Sequence, residues 1–324
     1  MCGRSPSCKV RRFARPLPVP FWSSVLLLSL VVPLLTGCSV RALAVRALGN
    51  ALAGAGDVFA SDEDPELVRE AVPFALKTME ALLAEQPEDG NLLLAACKGF
   101  VQYGYGFVET DALLAERDDY SAAQAGYTRA LGLYLRGRDY CLRSLELMKP
   151  GVRTALVREP GPALAGFREP AVPLLYWTGA AWGAAIGVGA DRPDLVADVP
   201  AVKALIERAL ALDEDWNQGA AHAAMIALEA LPAEMGGAPK RAREHFARAL
   251  ELDGGRRAGT YVTLAMTVVK AEQDANEFRD LLERALAVDP DAEPSARVEN
   301  LIAQQRARYL LAHTGDYFVD YTGE

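Results

Sequence analysis

Histidine is nearly missing from this 324-residue chain, which has three copies, and the five cysteines (Cys2, Cys8, Cys38, Cys97 and Cys141) are scattered over its whole length. A metal centre needs His and Cys at short, repeated spacings, and no such spacing occurs. Basic charge is scarce as well, with 34 Lys and Arg against 43 Asp and Glu. Five of the basic residues (Arg4, Lys9, Arg11, Arg12 and Arg15) precede position 38 and meet no acidic residue there, so the remainder is more acidic still. Such a body is a poor partner for phosphate backbones or anionic lipid, which argues against nucleic-acid binding. Long apolar runs are few. Past the N-terminus, the compact run around Trp177 to Val188 falls short of the ~20 residues that span a bilayer, which argues against a multi-pass membrane protein. No HExxH, GxSxG, P-loop or CxxC string is present, and the other carboxylate, His and Gly clusters give no compelling catalytic spacing. The expectation is a protein that is not an enzyme and carries no cofactor or metal.

What is present begins with an address. A basic stretch through Arg15 leads into the apolar run from Phe21 to Leu35, too short for a comfortable membrane span and therefore read as an export signal. Leu35-Thr36-Gly37-Cys38 follows at once and resembles the lipobox of bacterial lipoproteins, in which the Cys thiol is diacylglycerylated and cleavage occurs before it. Several acyl chains, at ~0.8 kcal/mol per buried methylene, would hold a soluble body at a membrane almost irreversibly. The alternative is a secreted protein cut after Ala44, where Ala42-Leu43-Ala44 gives an A-x-A match; the position of Cys38 against the apolar run favours lipidation. Ser39 rather than Asp after the cysteine favours delivery to the outer over the inner membrane. The resulting division is 1–37 signal peptide, 38–63 lipid-anchored segment, 64–318 folded body and 319–324 tail.

The body reads as helical almost throughout, with Ala, Leu, Glu and Arg at periods of three and four. Asp64-Pro65 opens a helix that runs to Pro87, with Pro73 predicting a kink or a split. Residues 91–116 and Tyr120 to Met148 form the next two long helices, with Asp118-Asp119 as a helix start. An irregular connector rich in Pro and Gly follows from 150, then a helix from about Pro173 to Gly187 and several shorter ones. Three strings repeat in the C-terminal half: ERALALDED (207–215), ARALELDGG (247–255) and ERALAVDPD (283–291), aligning Arg208, Arg248 and Arg284 at spacings of 40 and 36. Tyr261, Leu264, Ala265 and Val268 sit at tetratricopeptide positions of a partner helix. The predicted fold class is therefore all-α, a tetratricopeptide-like array of antiparallel helical hairpins that leaves a concave face or central channel.

Aromatic side chains are the candidate site. Phe100, Tyr103 and Phe107 fall on one helix face by spacing, and Tyr176, Ala180, Gly183 and Gly187 form another. Tyr103, Tyr105, Tyr176, Trp177 and Trp182 would present ring faces with O–H or N–H donors to a ligand, against the alternative of ordinary core packing. Trp177 and Trp182, about 140° apart on a helical wheel, share a cavity only if its wall is broad. Gly104 and Gly106 suggest close helix packing or a bend. His222 reads as a packing residue, and His245 and His313 as surface residues. Cys97 and Cys141, on consecutive helices, are either a disulfide or two small buried hydrophobes.

The order of several strings resembles the T-component (TatT) family of tripartite ATP-independent periplasmic (TRAP) transporters. They are DPELVREAVPFALKTMEALLAEQP (64–87), NLLLAACKGFVQYGYGFVE (91–109), VPLLYWTGAAWGAAI (172–186), ALIERALALDEDWNQGAAH (204–222), GGAPKRAREHFARALEL (236–252) and NLIAQQRARYLLAHTGDYF (300–318). This resemblance implies a periplasmic lipoprotein of tetratricopeptide-like hairpins, a homotrimer with a passage through each subunit, and a soluble substrate-binding protein as partner. It implies no catalytic residue. It extends the candidate passage wall to Asn300 beside Tyr103, Tyr105, Tyr176, Trp177 and Trp182. The expected function is an anchored accessory of solute uptake that docks a substrate-binding protein and passes a small solute; the alternative is a lipoprotein scaffold for peptides or envelope-assembly partners.

Overall fold

The computed structural model describes Val45 and residues 47–319. The signal, Cys38 and the tail beyond Val319 lie outside the described residues. From Leu48 the chain forms one compact unit, all-α, with no strand among the described residues.

The punctuation read from the sequence sets most boundaries. Helix α1 (Pro65–Glu85) starts where the Asp64 carboxylate accepts from the amides of Glu66 and Leu67, at 3.0 and 3.2 Å, with proline in the first turn, where its missing N–H leaves no bond unmade. Pro73 was expected to kink or split this helix, and α1 runs through it unbroken. Buried Val68, Leu76, Met79 and Leu83 flank it on both sides, so packing keeps the two halves in one element. Helix α2 (Gly90–Tyr103) is capped by Asp89, which accepts from the Leu92 amide at 3.0 Å. It passes into a π-helical segment, Gly104–Glu109, and a last α-helical stretch, Thr110–Ala115. Asp119 caps α3 (Tyr120–Met148) by accepting from the Ala122 amide at 2.9 Å.

The connector from 150 is less irregular than its prolines suggested. It holds short helices at Val152–Arg158 and Pro160–Leu164, because Pro160 falls at a first-turn position where proline is tolerated. Then come α4 (Val172–Val188), α5 (Val199–Leu212), α6 (Ala220–Glu229), α7 (Pro239–Asp253), α8 (Ala258–Leu264), α9 (Ala275–Ala287) and α10 (Arg297–Ala312). Helix α8 also continues through a π-helical turn, Ala265–Val269. Successive helices pack on one another from α1 to α5, then α6 on α7, and α9 on both α8 and α10. Helix α10 returns to pack on α1 and on Thr110–Ala115, so the array closes on itself. Residues 48–60, expected to belong to the anchored segment, are largely helical and part of this body, with a short helix at Gly56–Ala60.

Helix α4 is apolar all round, as a helix surrounded by other apolar surfaces should be; it packs on α3 and α5. Glycines set the closest approaches. A Cβ on Gly104 would stand 2.8 Å from Cε1 of the fully buried Tyr134. One on Gly137 would stand 3.1 Å from the Cys97 carbonyl oxygen. That approach of α3 to α2, one helical turn before Cys141, brings Cys97 and Cys141 together with their Cα atoms 5.5 Å apart, and they are joined as a disulfide. Of the two alternatives left open by spacing, the structure takes the bridge.

Candidate functional site

The closed array surrounds a cavity of about 920 Å³, near the top of the roughly 300–1,000 Å³ range of small-molecule sites. One wall is α4. Tyr176, Ala180, Gly183 and Gly187, grouped by helical spacing in the sequence, all line it. A Cβ on Gly187 would meet nothing within 4 Å, so beyond Tyr176 and Trp177 this wall presents little side-chain bulk. Val68, Val72, Leu76 and Met79 of α1 supply another wall, and Leu52 and Phe59 of the N-terminal stretch a further part.

The π-helical segment explains why Tyr103, Tyr105 and Phe107 all line the cavity. A π turn widens the arc that consecutive residues present, and such turns recur at functional sites. Regular spacing had placed Phe100 on the same face as Tyr103 and Phe107. Phe100 instead stacks on Tyr140, ring centres 5.8 Å apart, and is absent from the cavity wall. A buried polar network holds the segment in place. Arg306 of α10 donates to Thr110 Oγ1 at 3.2 Å and to Glu109 Oε1 at 3.3 Å, and Tyr134 donates to Glu109 Oε2 at 2.6 Å. The Arg306 guanidinium lies 4.5 Å from the Tyr105 ring centre. That cation favours the Tyr105 phenolate, yet burial and the charges of Glu109 and Glu299 prevail and hold the phenol above its ordinary pKa.

Aromatic rings run along one side in sequence. Lys98 Nζ stands 5.9 Å from the Trp177 ring centre, Trp177 meets Tyr176 edge-on at 5.2 Å, and Tyr176 meets Trp216 at 4.9 Å. Burial, with the Glu299 charge, pushes the Tyr176 phenol up to about 12, so it remains a neutral donor at physiological pH. Beyond Trp216, Arg257 donates to Glu299 Oε2 at 2.8 Å and to Asn217 Oδ1 at 3.2 Å. The turn that presents Trp216 and Asn217 is strained: Asn217 and Gln218 have φ of 47° and 57°, left-handed values that together cost on the order of 2 kcal/mol in non-glycine residues.

Of the sequence candidates, Tyr103, Tyr105, Tyr176 and Trp177 are brought together and Trp182 and Asn300 are not. Trp182 faces away from the cavity wall, with the Arg138 guanidinium 5.3 Å from its ring centre; the wheel angle between it and Trp177 is what separates them. Asn300 is fully buried. Its Oδ1 accepts from the Ala258 amide at 2.8 Å and its Nδ2 donates to the Arg256 carbonyl at 2.9 Å. Arg257 offers no side-chain cap for α8, and Asn300 supplies that cap from α10. The sequence reading missed Lys98, Trp216, Asn217, Arg257 and Glu299. Lys98 had a signal, as the one charged residue in Gly90–Tyr103.

Outside the cavity, His222 and His245 face each other with Nδ1 atoms 2.7 Å apart, and His222 Nε2 lies 3.1 Å from Glu214 Oε1. His245 is thus half-buried against a partner rather than a plain surface residue. Burial, then the neighbouring His222, lowers its pKa. Among the described residues no three or more His, Cys, Asp or Glu converge as metal ligands.

Two comparisons bear on this geometry. The model of the family described as TRAP transporter T-component matches residues 61–318. An uncharacterized protein of Treponema pallidum (strain Nichols) is 30% identical over 309 residues, covering 89% of this chain and 95% of that one.

Proposed function

Because the chain belongs to the TRAP transporter T-component family, and so to an accessory of TRAP-type solute transport, we propose that it docks a substrate-binding protein and passes a small solute through its helical body. Its family is a transporter component rather than a known enzyme family, and its place is at a membrane or in the periplasm. On this reading the hairpins form a tetratricopeptide-like homotrimer held by lipid on Cys38, at the outer in preference to the inner membrane. The observation that carries the reading is the mainly apolar cavity lined by Tyr103, Tyr105, Tyr176 and Trp177 within the family-matched region. Aromatic walls with a few inward polar groups bind a guest by area and orient it by hydrogen bonds, with no bond-making group required. The acidic surface suits a partner with basic patches.

The test is a pull-down from periplasmic extract followed by native mass spectrometry, which reports partner, subunit number and retained solute together. A substrate-binding protein with three copies of this chain is expected. Capture of extended peptides, with no substrate-binding protein and no retained small molecule, would overturn the proposal in favour of a peptide scaffold.

A further inference from the structure

Among the described residues the cavity wall carries four charged side chains: Asp57, Lys98, Arg257 and Glu299. Two of them cancel, since Arg257 and Glu299 pair at 2.8 Å and Asn217 takes another guanidinium N–H. Lys98 is different. Its recorded contacts are the Trp177 ring at 5.9 Å and an approach in which a Cβ on Gly56 would lie 3.4 Å from Nζ. Among the described residues no carboxylate pairs with it, Asp57 included. A part-exposed cation on a mainly apolar wall, without a counter-charge among the described residues, favours an anion that enters with the guest. Val68, Val72, Leu76 and Met79 of α1 give the cavity an apolar wall, and α4 leaves open space at Gly187, where a Cβ would meet nothing within 4 Å.

We propose that the cavity binds an anionic amphiphile with a single apolar chain, its carboxylate at Lys98 and its chain between α1 and the glycine face of α4. This rests on the reading of the cavity as the solute's path and names the class of solute. A small polar dianion would meet, among the described residues, Lys98 as its unpaired cation and waste the apolar wall; an uncharged hydrocarbon would leave Lys98 unpaired. Free fatty acids and single-chain anionic lipids share this chemistry of one negative head on one long chain.

The test uses the Cys38→Ser chain, free of detergent, in equilibrium dialysis with palmitate, lysophosphatidylglycerol, hexadecanol and succinate as probes. One palmitate or one lysophosphatidylglycerol per chain is expected to bind, and the tighter of the two identifies the source. Lys98→Met, which keeps the aliphatic stem, should weaken binding of the anion about tenfold and leave hexadecanol unchanged, with Lys98→Arg restoring it. Gly187→Leu, whose added side chain points into open space, should weaken both chain-bearing probes while helical content by circular dichroism stays intact. Hexadecanol binding the parent as tightly as palmitate, succinate displacing palmitate at similar concentration, or no effect of Lys98→Met would each overturn the proposal. Docking of a substrate-binding protein plays no part in this assay, so failure of the docking reading leaves its result untouched.

Discussion

Reducing the bond between Cys97 and Cys141 is the sharpest perturbation of this body, because it acts on the joint between α3 and α2, and α2 carries Lys98 and Tyr103 of the cavity wall. The bond closes a loop with a sequence separation of 44. In the chain-entropy treatment a loop of that length restricts the unfolded chain by about 4 kcal/mol. For a body of this size, at roughly 2–4 °C per kcal/mol, the thermal midpoint should fall on the order of 10 °C. Both sulfurs are fully buried, so reduction must be carried out under conditions that open the structure, followed by refolding with reductant and confirmed by alkylation. The assay is a paired thermal melt of oxidised and reduced protein, with a Cys97→Ala, Cys141→Val variant as control. The variant should melt near the reduced parent and show no response to reductant. A fully alkylatable, reduced parent that melts within a degree or two of the oxidised form would refute the argument, since the constraint would then contribute nothing.

Cys38→Ser should move the protein from the detergent-extracted membrane fraction to the soluble one in cell fractionation; continued membrane retention would count against an acyl anchor at that residue. Asn300→Ala removes the Ala258 cap and the Arg256 carbonyl's donor, leaving buried groups unpaired at about 1–3 kcal/mol; urea unfolding should record that loss, with palmitate affinity unaltered in the protein that remains folded. Since folding holds His245 below its usual pKa, the unfolded chain binds the proton first, and stability is full above about pH 6.5 and declines as the solution is acidified below it. A His245→Gln variant should lose part of that decline in urea midpoints measured between pH 7 and 5, and equal slopes for the two proteins would rule the pair out as its origin.

Local rules in the sequence reached far. Asp64 and Asp119 cap helices because each cap is made within three residues of the capping side chain, and the face of Tyr176, Ala180, Gly183 and Gly187 follows from a period that α4 obeys to its end. What spacing could not reveal depends on distant partners. Arg257 and Glu299 are 42 residues apart, as are Ala258 and Asn300, and an asparagine that caps another helix looks, in sequence, like one that faces a ligand. The π turn at Gly104–Glu109 breaks the very periodicity used to assign faces beyond Tyr103, while Phe100, still in the regular part of α2, is drawn to Tyr140 of α3, a distant partner that spacing does not show. Pro73 shows the reverse case, a local rule overruled by apolar packing on either side.

The bare face of α4 has one more consequence. Positions 180, 184 and 187 border the hollow with nothing larger than a methyl group, so the room on this side is decided by residues whose side chains contribute little bulk. Enlarging one of them would reduce the hollow much as a washer narrows a pipe, leaving its supporting frame in place, so the volume offered to a guest is open to change by single substitutions at those three sites.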